Sequence, residues 1–447
     1  MIKYFYWILL VVMASFGCWA QTTIFVSPAG NDANVGSQQA PLRTPAAALE
    51  KVKKSAANSW VINLRQGDYY LSEPLNFAGV SEKSVVLQAF GDESVTVSAG
   101  RRLYFKWEKY KGGVVRARVP GAAFEQLFVN GKLQPLARYP NFDLQARVFK
   151  GTSADAMSPE RVAKWKNPVG GYIHVLHAGE WGGFHYRITG VRDGKLEMEG
   201  GWQNNRPSGM HSEHRFVENI FEELDAPGEW FYDKREQFLY FFPPNGLNLR
   251  TARFEVSKLK HIVELKGTVD QPLKNITVRG IRMAHTERTF MERYEPLLRS
   301  DWTIYRGAAV LMENTENCKV VDCELADLGG NAVLLTGYNR SSGVEGSHIY
   351  RVGASAVCFV GDSSAVRSAT FQYDQFTPIE RMDRSPGPKN ERYPSGCYAR
   401  NNLIHDIGQI EKQATGVEIE MASEIYVGHN TIYRLPRAGI NIGDGGW

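Results

Sequence analysis

The chain has 447 residues, a length that suggests about three domains as a prior, and its 43% hydrophobic and 22% charged residues exclude a disordered protein. The formal net charge of +4 is too small and too dispersed for a nucleic-acid surface, so no nucleic-acid partner is expected. With 43 Gly and 20 Pro the chain is rich in turns, and its 10 Trp, 20 Tyr and 22 Phe include rings of the kind that stack on sugars when exposed.

Residues 1–20 read as a cleaved export signal. Lys3 gives a short positive start, residues 4–16 are apolar but short for a membrane span, and small residues stand at the cleavage positions before Gln21. A membrane anchor and a lipoprotein attached through Cys18 are the alternatives, and Phe16 is awkward for the second. No later stretch is apolar and long enough to cross a bilayer. The expectation is a secreted or periplasmic monomer.

A strand over residues 23–26 leads into a turn-rich loop. Thr44-Pro45 opens a helix over 46–54, with proline at a helix start. Strand-like runs follow at 60–64, 69–71 and 85–89. No long helical period occurs later, so the class is all-β. The texture changes over 124–254, where Trp181, Trp202 and Trp230 accompany His174, His177, His185, His211 and His214. Runs at 229–233 and 237–242 read as an antiparallel hairpin. This stretch is expected to be an inserted antiparallel β-sandwich-like subdomain between an N-terminal part, 21–123, and a C-terminal part, 255–447. Its histidines are scattered in sequence, so no metal site is expected.

The last third repeats. Small residues recur at Ala309, Ala332, Ala356, Gly416 and Gly439, at intervals of 23, 24, 60 and 23. The long interval is one repeat plus an insertion at 363–395, a charged segment that reads as a lid. A period near 23 with β character and no helix predicts a solenoid of stacked strands. A second strand repeats in step, with Leu325, Ile349, Ile404 and Ile432 in one apolar column and Leu328, Val352, Ile407 and Leu435 in another. Cys323, Ser347, Asn402 and Asn430 hold the turn before them. Asp327, Arg351, Asp406 and Arg434 then predict a charge ladder with rungs about 4.8 Å apart. Asp406 is read as a structural rung, and His285 beside the ladder as a packed histidine. Cys318 and Cys397 fall two rungs apart, about 9.6 Å, beyond disulfide reach. With Cys323 and Cys358 they are expected to be thiols, and their spacing is unlike a zinc site. The chain stops at Trp447 in mid-repeat, which predicts a continuing gene and a C-terminal cap not included here.

Several motifs point to one family. Phe25-Val26-Ser27-Pro28-Ala29-Gly30-Asn31-Asp32 with the following helix resembles the capped start of secreted right-handed parallel β-helix proteins that act on polysaccharides. Leu127-Phe128-Val129-Asn130-Gly131-Lys132, Ala137-Arg138-Tyr139-Pro140, the run from Glu218 through Glu222, Glu223 and Asp225 to Trp230, and the run from Pro436 through Gly439 and Asp444 to Gly445 together resemble glycoside hydrolase family 141. The resemblance implies a right-handed parallel β-helix with an N-terminal capping helix and an inserted β domain. It also implies hydrolysis of plant cell-wall glycans of the α-L-fucosidase or endo-xylanase type, through aspartates in the C-terminal coils. That family's chains run past the point where this one stops, so it implies that one or both aspartates can lie beyond Trp447.

Glycoside hydrolysis needs two carboxyl groups. If Val417 and Ile419 face inward, Glu418 and Glu420 face outward on one strand, about 6.6–7 Å apart. Asn441 stacks on Glu418, and Asp444 follows that strand's end. Lower rungs carry Leu311, Leu334 and Cys358, then Glu313, Thr336 and Val360, so acidity arrives abruptly. Like charges so placed raise one pKa, as a general acid requires. Glu418, Glu420 and Asp444 are the catalytic candidates, against plainer readings as solvated acids and a turn. Arg437, His429, Asn441, Trp447, Trp302 and Tyr338 are the substrate-binding candidates, with no metal or cofactor. Two other readings compete. One is a polysaccharide lyase using Lys412 and Arg437, with Ca²⁺ beside the acids; the other is a non-catalytic carbohydrate-binding protein.

Overall fold

The computed structural model describes residues 21–80, 82–121, 124–372 and 374–447. The export-signal reading falls on residues 1–20 and lies outside them. No helix among the described residues is long and apolar enough to cross a membrane.

The protein is mostly β, with three parallel sheets of eight, nine and seven strands. The chain visits the three in rotation. In the last repeats Tyr398–Arg400 lies in the eight-stranded sheet, Leu403–His405 in the seven-stranded sheet and Thr415–Glu420 in the nine-stranded sheet. Tyr426–Gly428, Thr431–Tyr433 and Ala438–Ile442 then repeat that order. This arrangement is consistent with a β-helix-like solenoid. The predicted superposition holds residue by residue. Val263, Val310, Val333, Val357, Val417 and Ile440 are successive partners in the nine-stranded sheet. Leu325, Ile349, Ile404 and Ile432 are successive partners in the seven-stranded one. Such β-branched and leucine columns form a single apolar core along the stack, from Ile24 to Ala422.

The turns between strands are ladders too. Ser347 Oγ accepts the Cys323 N–H, Asn402 Oδ1 that of Ser347, and Asn430 Oδ1 that of Asn402, at 2.9–3.1 Å. Asp327, Arg351, Asp406 and Arg434 share a left-handed backbone (φ 49–57°). They bear the predicted charges: Arg282 and Arg351 both reach Asp327 at 2.6 Å, and Arg434 reaches Asp406 at 2.5 Å. His285 is buried, its Nδ1 3.0 Å from Ser98 Oγ. All four described cysteines are buried free thiols. The helix Pro45–Lys54 is capped by Thr44 and turns Ala48, Leu49 and Val52 into the core.

The antiparallel part begins earlier than expected. Gly100–Leu103 pairs with Phe254–Ser257, and Val115–Arg118 pairs with Phe238–Phe241. The departure from the parallel stack therefore starts near residue 100, not 124. The reason is pairing: these strands read like the preceding ones in isolation, and only their partners across the domain, 120–157 positions away, assign them. The insertion holds two four-stranded sheets and one five-stranded sheet, all antiparallel, with apolar cores of their own.

Candidate active site

Strand Thr415–Glu420 points Val417 into the core and Glu418 and Glu420 to the outer face, as the alternation requires. That face is not solvated, which corrects the expectation of an open acidic wall. Glu418 is 3% exposed and Glu420 0%. Below the acids the outer face carries Leu311, Leu334, Cys358 and Val360, and an apolar segment covers them. Leu297, Leu298, Trp302 and Ile304 pack there with Met421 in a second cluster. The last turn crosses directly over the acids. A Cβ at Gly443 would stand 1.6 Å from Glu420 Oε1, so only glycine passes.

Burial sets the chemistry of the pair. Asn441 donates to Glu418 Oε1 at 2.8 Å, while Glu418 Oε2 and both Glu420 oxygens have no hydrogen-bond partner among the described residues. Desolvation pushes Glu418 up to about 8, against the opposing pull of Asn441 and Arg437. It pushes Glu420 to about 9, helped by Glu418 and Asp444. Both are neutral acids at pH 7. Asp301, on the covering segment, behaves differently. Burial would raise it, but the Arg437 guanidinium beside it outweighs that and holds it below the ordinary carboxylate range. Arg437 Nη1 lies 2.7 Å from Asp301 Oδ2, and its guanidinium covers the Trp302 ring at 4.7 Å. The site thus sets neutral carboxylic acids beside an ion-paired carboxylate.

The insertion closes the other side. Its hairpin tip at 181–183 lies on the stack, where a Cβ at Gly182 would meet Gln413 Oε1 at 2.0 Å. Arg437 also donates to the Trp181 carbonyl. Asn204 donates to Gln413 Oε1 at 2.9 Å, and Asn205 holds the Ser300 and Phe371 carbonyls at 2.9 and 2.8 Å. Asp301, Gln413 and these asparagines were not anticipated. Asp301 carries no repeat signal, and the tryptophan and histidine density of the insertion was the only hint of its contribution.

Of the predicted residues, Glu418, Glu420, Asn441 and Arg437 come together. Asp444 is exposed, and its carbonyl accepts the Met421 N–H at 3.2 Å. Trp302 is a correction: it is buried in the second cluster under Arg437, leaving no open face for a sugar. His429 is also a correction. It follows the edge strand Tyr426–Gly428 of the eight-stranded sheet, exposed in a left-handed turn (φ 56°), away from the acids' sheet. The Tyr338 hydroxyl turns to Glu316 at 2.8 Å, and Arg340 covers its ring. Trp447 packs on Tyr393, with ring centroids 4.7 Å apart. Lys412 is half-buried, and desolvation lowers it to about 8, but its ammonium is held by the Gly408 carbonyl at 2.7 Å and sits over Phe149. The 363–395 segment contributes Val366 and Ala369 to the covering cluster.

The insertion's histidines are not scattered in space, which corrects that reading. His174 Nδ1 lies 2.7 Å from His185 Nδ1, a contact that needs a proton on one of them. His174 Nε2 faces Glu218 at 3.1 Å, and His185 Nε2 faces Glu411 of the stack at 3.2 Å. Arg288 binds Glu218 and Tyr294 binds Glu411, completing a buried relay across the junction. Glu180, His211 and His214 gather within 4.8 Å. His211 Nδ1 accepts the backbone N–H groups of Glu213 and His214, so its Nε2 keeps the proton and faces Glu180 at 3.6 Å. That donor set suits a hydrogen-bonded cluster better than a cation. An open cavity of about 430 Å³ on the insertion, lined by Tyr139, Arg161, Glu222 and Glu223 among others, shares no residue with the carboxyl pair.

No family model and no curated protein matches the chain. Solved structures do resemble it. One described as "Glycoside hydrolase" superposes with a TM-score of 0.74 at 19% identity, covering 95% of this chain and 80% of its own. Another, described as a complex of XylC with xylose, gives 0.52 at 13% identity, covering 93% of this chain and 59% of its own. The protein therefore has a fold like that of a solved glycoside hydrolase, with likeness at these identities speaking for the fold alone.

Proposed function

We propose that the protein is a secreted, monomeric glycoside hydrolase, acting on a plant cell-wall or related polysaccharide through carboxyl groups on the outer face of a right-handed parallel β-helix. The helix Pro45–Lys54 is read as its N-terminal cap. The observation that carries this is the coexistence, in one site, of buried acids held neutral near pH 7 and a carboxylate held ionised. Glu418 is the general acid, protonating the glycosidic oxygen, its neutral form sustained by burial and the nearby charge of Asp301. Asp301 and Asp444 are the carboxylates available as nucleophile or base. Because Glu418 and Glu420 are covered, turnover requires the 297–304 segment or the 443–446 turn to lift. The similar structures, a glycoside hydrolase and a complex of XylC with xylose, support this class, and the motif resemblance to family 141 adds fucosidase- or xylanase-like action. The tethering of Lys412 to Gly408 weighs against a lyase base.

The test is hydrolysis of xylan, fucosylated pectin and a panel of aryl glycosides, with unsaturated product monitored in parallel. Glu418→Gln is expected to lower kcat by about 10²–10⁴-fold, and Asp301→Asn and Asp444→Asn to identify the second carboxylate. Wild-type rates in all four variants, Glu420→Gln included, would remove the assignment. Unsaturated product would turn it into a lyase.

A further inference from the structure

We propose that His177, on the inserted subdomain, is a substrate-binding residue whose Nε2–H donates a hydrogen bond to a sugar hydroxyl at the Asp301–Arg437 side of the site. This rests on the carbohydrate reading above and assigns the insertion a recognition role.

His177 ends strand Tyr172–His177 and is 3% exposed. Its Nδ1 accepts the Gly179 backbone N–H at 2.9 Å. An accepting Nδ1 in a neutral ring places the proton on Nε2. That Nε2 has no hydrogen-bond partner among the described residues, although it is buried. A buried donor left unmade carries the full cost of its desolvation, so its persistence calls for an occupant absent from the protein itself. The surroundings identify where. Trp181, stacked on His177, gives its carbonyl to Arg437, and Arg437 pairs with Asp301 at 2.7 Å, so the ring lies on the insertion wall of the carboxyl site; Asp301, Arg206 and Arg437 are the charges acting on it. The ring cannot swing away freely. It stacks on Trp181 at 5.2 Å and on Phe184 at 5.7 Å, while Arg206 covers Trp181 at 4.7 Å.

The chemistry selects the ligand class. A neutral N–H donor on the same wall as an ion-paired carboxylate suits a hydroxyl, which accepts from His177 and can donate to Asp301. A cationic ligand would meet Arg437 and Arg206. Burial keeps the imidazole neutral, so the donor persists across the neutral range. Trp181 has neighbours stacked from both His177 and Arg206 and serves to clamp the histidine. The insertion therefore brings a directional donor to a site whose acids come from the stack.

The experiment uses the full chain with ¹⁵N-labelled histidine, and D-xylose, L-fucose and D-galactose as probes. The free protein should show His177 as the Nε2–H tautomer, and a bound sugar should shift that Nε2 signal. His177→Phe keeps the stack on Trp181 but removes the donor, and should weaken sugar binding about tenfold or more. His177→Gln places an amide N–H near the Nε2 position and should stay within about threefold of the wild type. The thermal transition of each variant reports folding, and the tautomer measurement on the wild type stands whether or not they fold. An Nδ1–H tautomer overturns the proposal. Equal sugar binding by the wild type and His177→Phe overturns it while leaving the carbohydrate reading intact. Failure of the wild type to bind any of the three sugars overturns both.

Discussion

Glu218 and Glu418 are both buried glutamates, and they end in opposite protonation states. Glu218, at the junction of insertion and stack, meets Arg288 and His174. Burial would raise it, but those partners more than offset the cost and hold it well below the ordinary carboxylate range. Glu418 has one amide for one oxygen and an apolar cover over the other, and rises to about 8. The difference teaches that burial alone does not make an acid site. What matters is whether the fold supplies a countercharge. Glu218 is satisfied and ties two parts of the molecule together. Glu418 is left wanting, and such unsatisfied groups are where chemistry is expected.

The comparison breaks most violently at Arg288. Arg288→Met removes the charge that keeps Glu218 ionised and strands it in the junction, so urea denaturation should report a loss of about 3–5 kcal/mol. Glu418→Gln removes no such partner and should leave stability unchanged or improved at neutral pH.

The pH dependence sharpens the contrast. Glu418 and Glu420 have folded pKa values raised above the unfolded 4.5, so the folded state binds more protons than the unfolded one between 4.5 and about 8 or 9. Their contribution to stability is therefore greatest in acid and falls as pH rises through that window, by up to about 1.4 kcal/mol per pH unit for each group. Glu218 has the opposite sign: its depressed pKa contributes stability above 4.5 that is lost as pH falls below it. The double variant Glu418→Gln/Glu420→Gln should flatten the alkaline fall of the urea midpoint and leave the acid loss in place. An unchanged alkaline slope would mean that the two acids are not the buried neutral groups described.

Smaller effects follow. Asn441→Ala withdraws the one donor to Glu418 and should raise its titration midpoint further, seen in the carboxyl infrared band, at a stability cost of about 0.5–1.5 kcal/mol. Asp406→Asn weakens an exposed rung of the charge ladder, shared with Arg434 at 2.5 Å. It should cost below about 1 kcal/mol in the same denaturation assay and leave glycan hydrolysis unaffected.

The parallel part was legible because its physics is local and repeated. Inward valines and isoleucines, small residues at fixed intervals and polar turns each recur in register, and a one-residue slip would expose the whole column. That placed Glu418, Asn441 and Glu420 on their columns correctly. The motifs that carry the family resemblance behaved otherwise. Trp230 is insertion core, and Arg138 is spent on the Pro140, Phe149 and Gly151 carbonyls. The solvation of the outer face was misread because the sheet's alternation says which way Glu418 points, not what lies above it.

The amino-acid order determined the repeat, the register and the direction of each side chain in the stack, since these follow from nearest-neighbour pairing about 4.8 Å apart. Only the tertiary structure decided the rest: that residues 297–304 cover the acids, that Arg437 ionises Asp301 while Glu418 stays neutral, and that His177 arrives from far along the chain. A pKa depends on every charge and dipole within several ångströms in space, and those neighbours come from segments whose meeting no local pattern encodes.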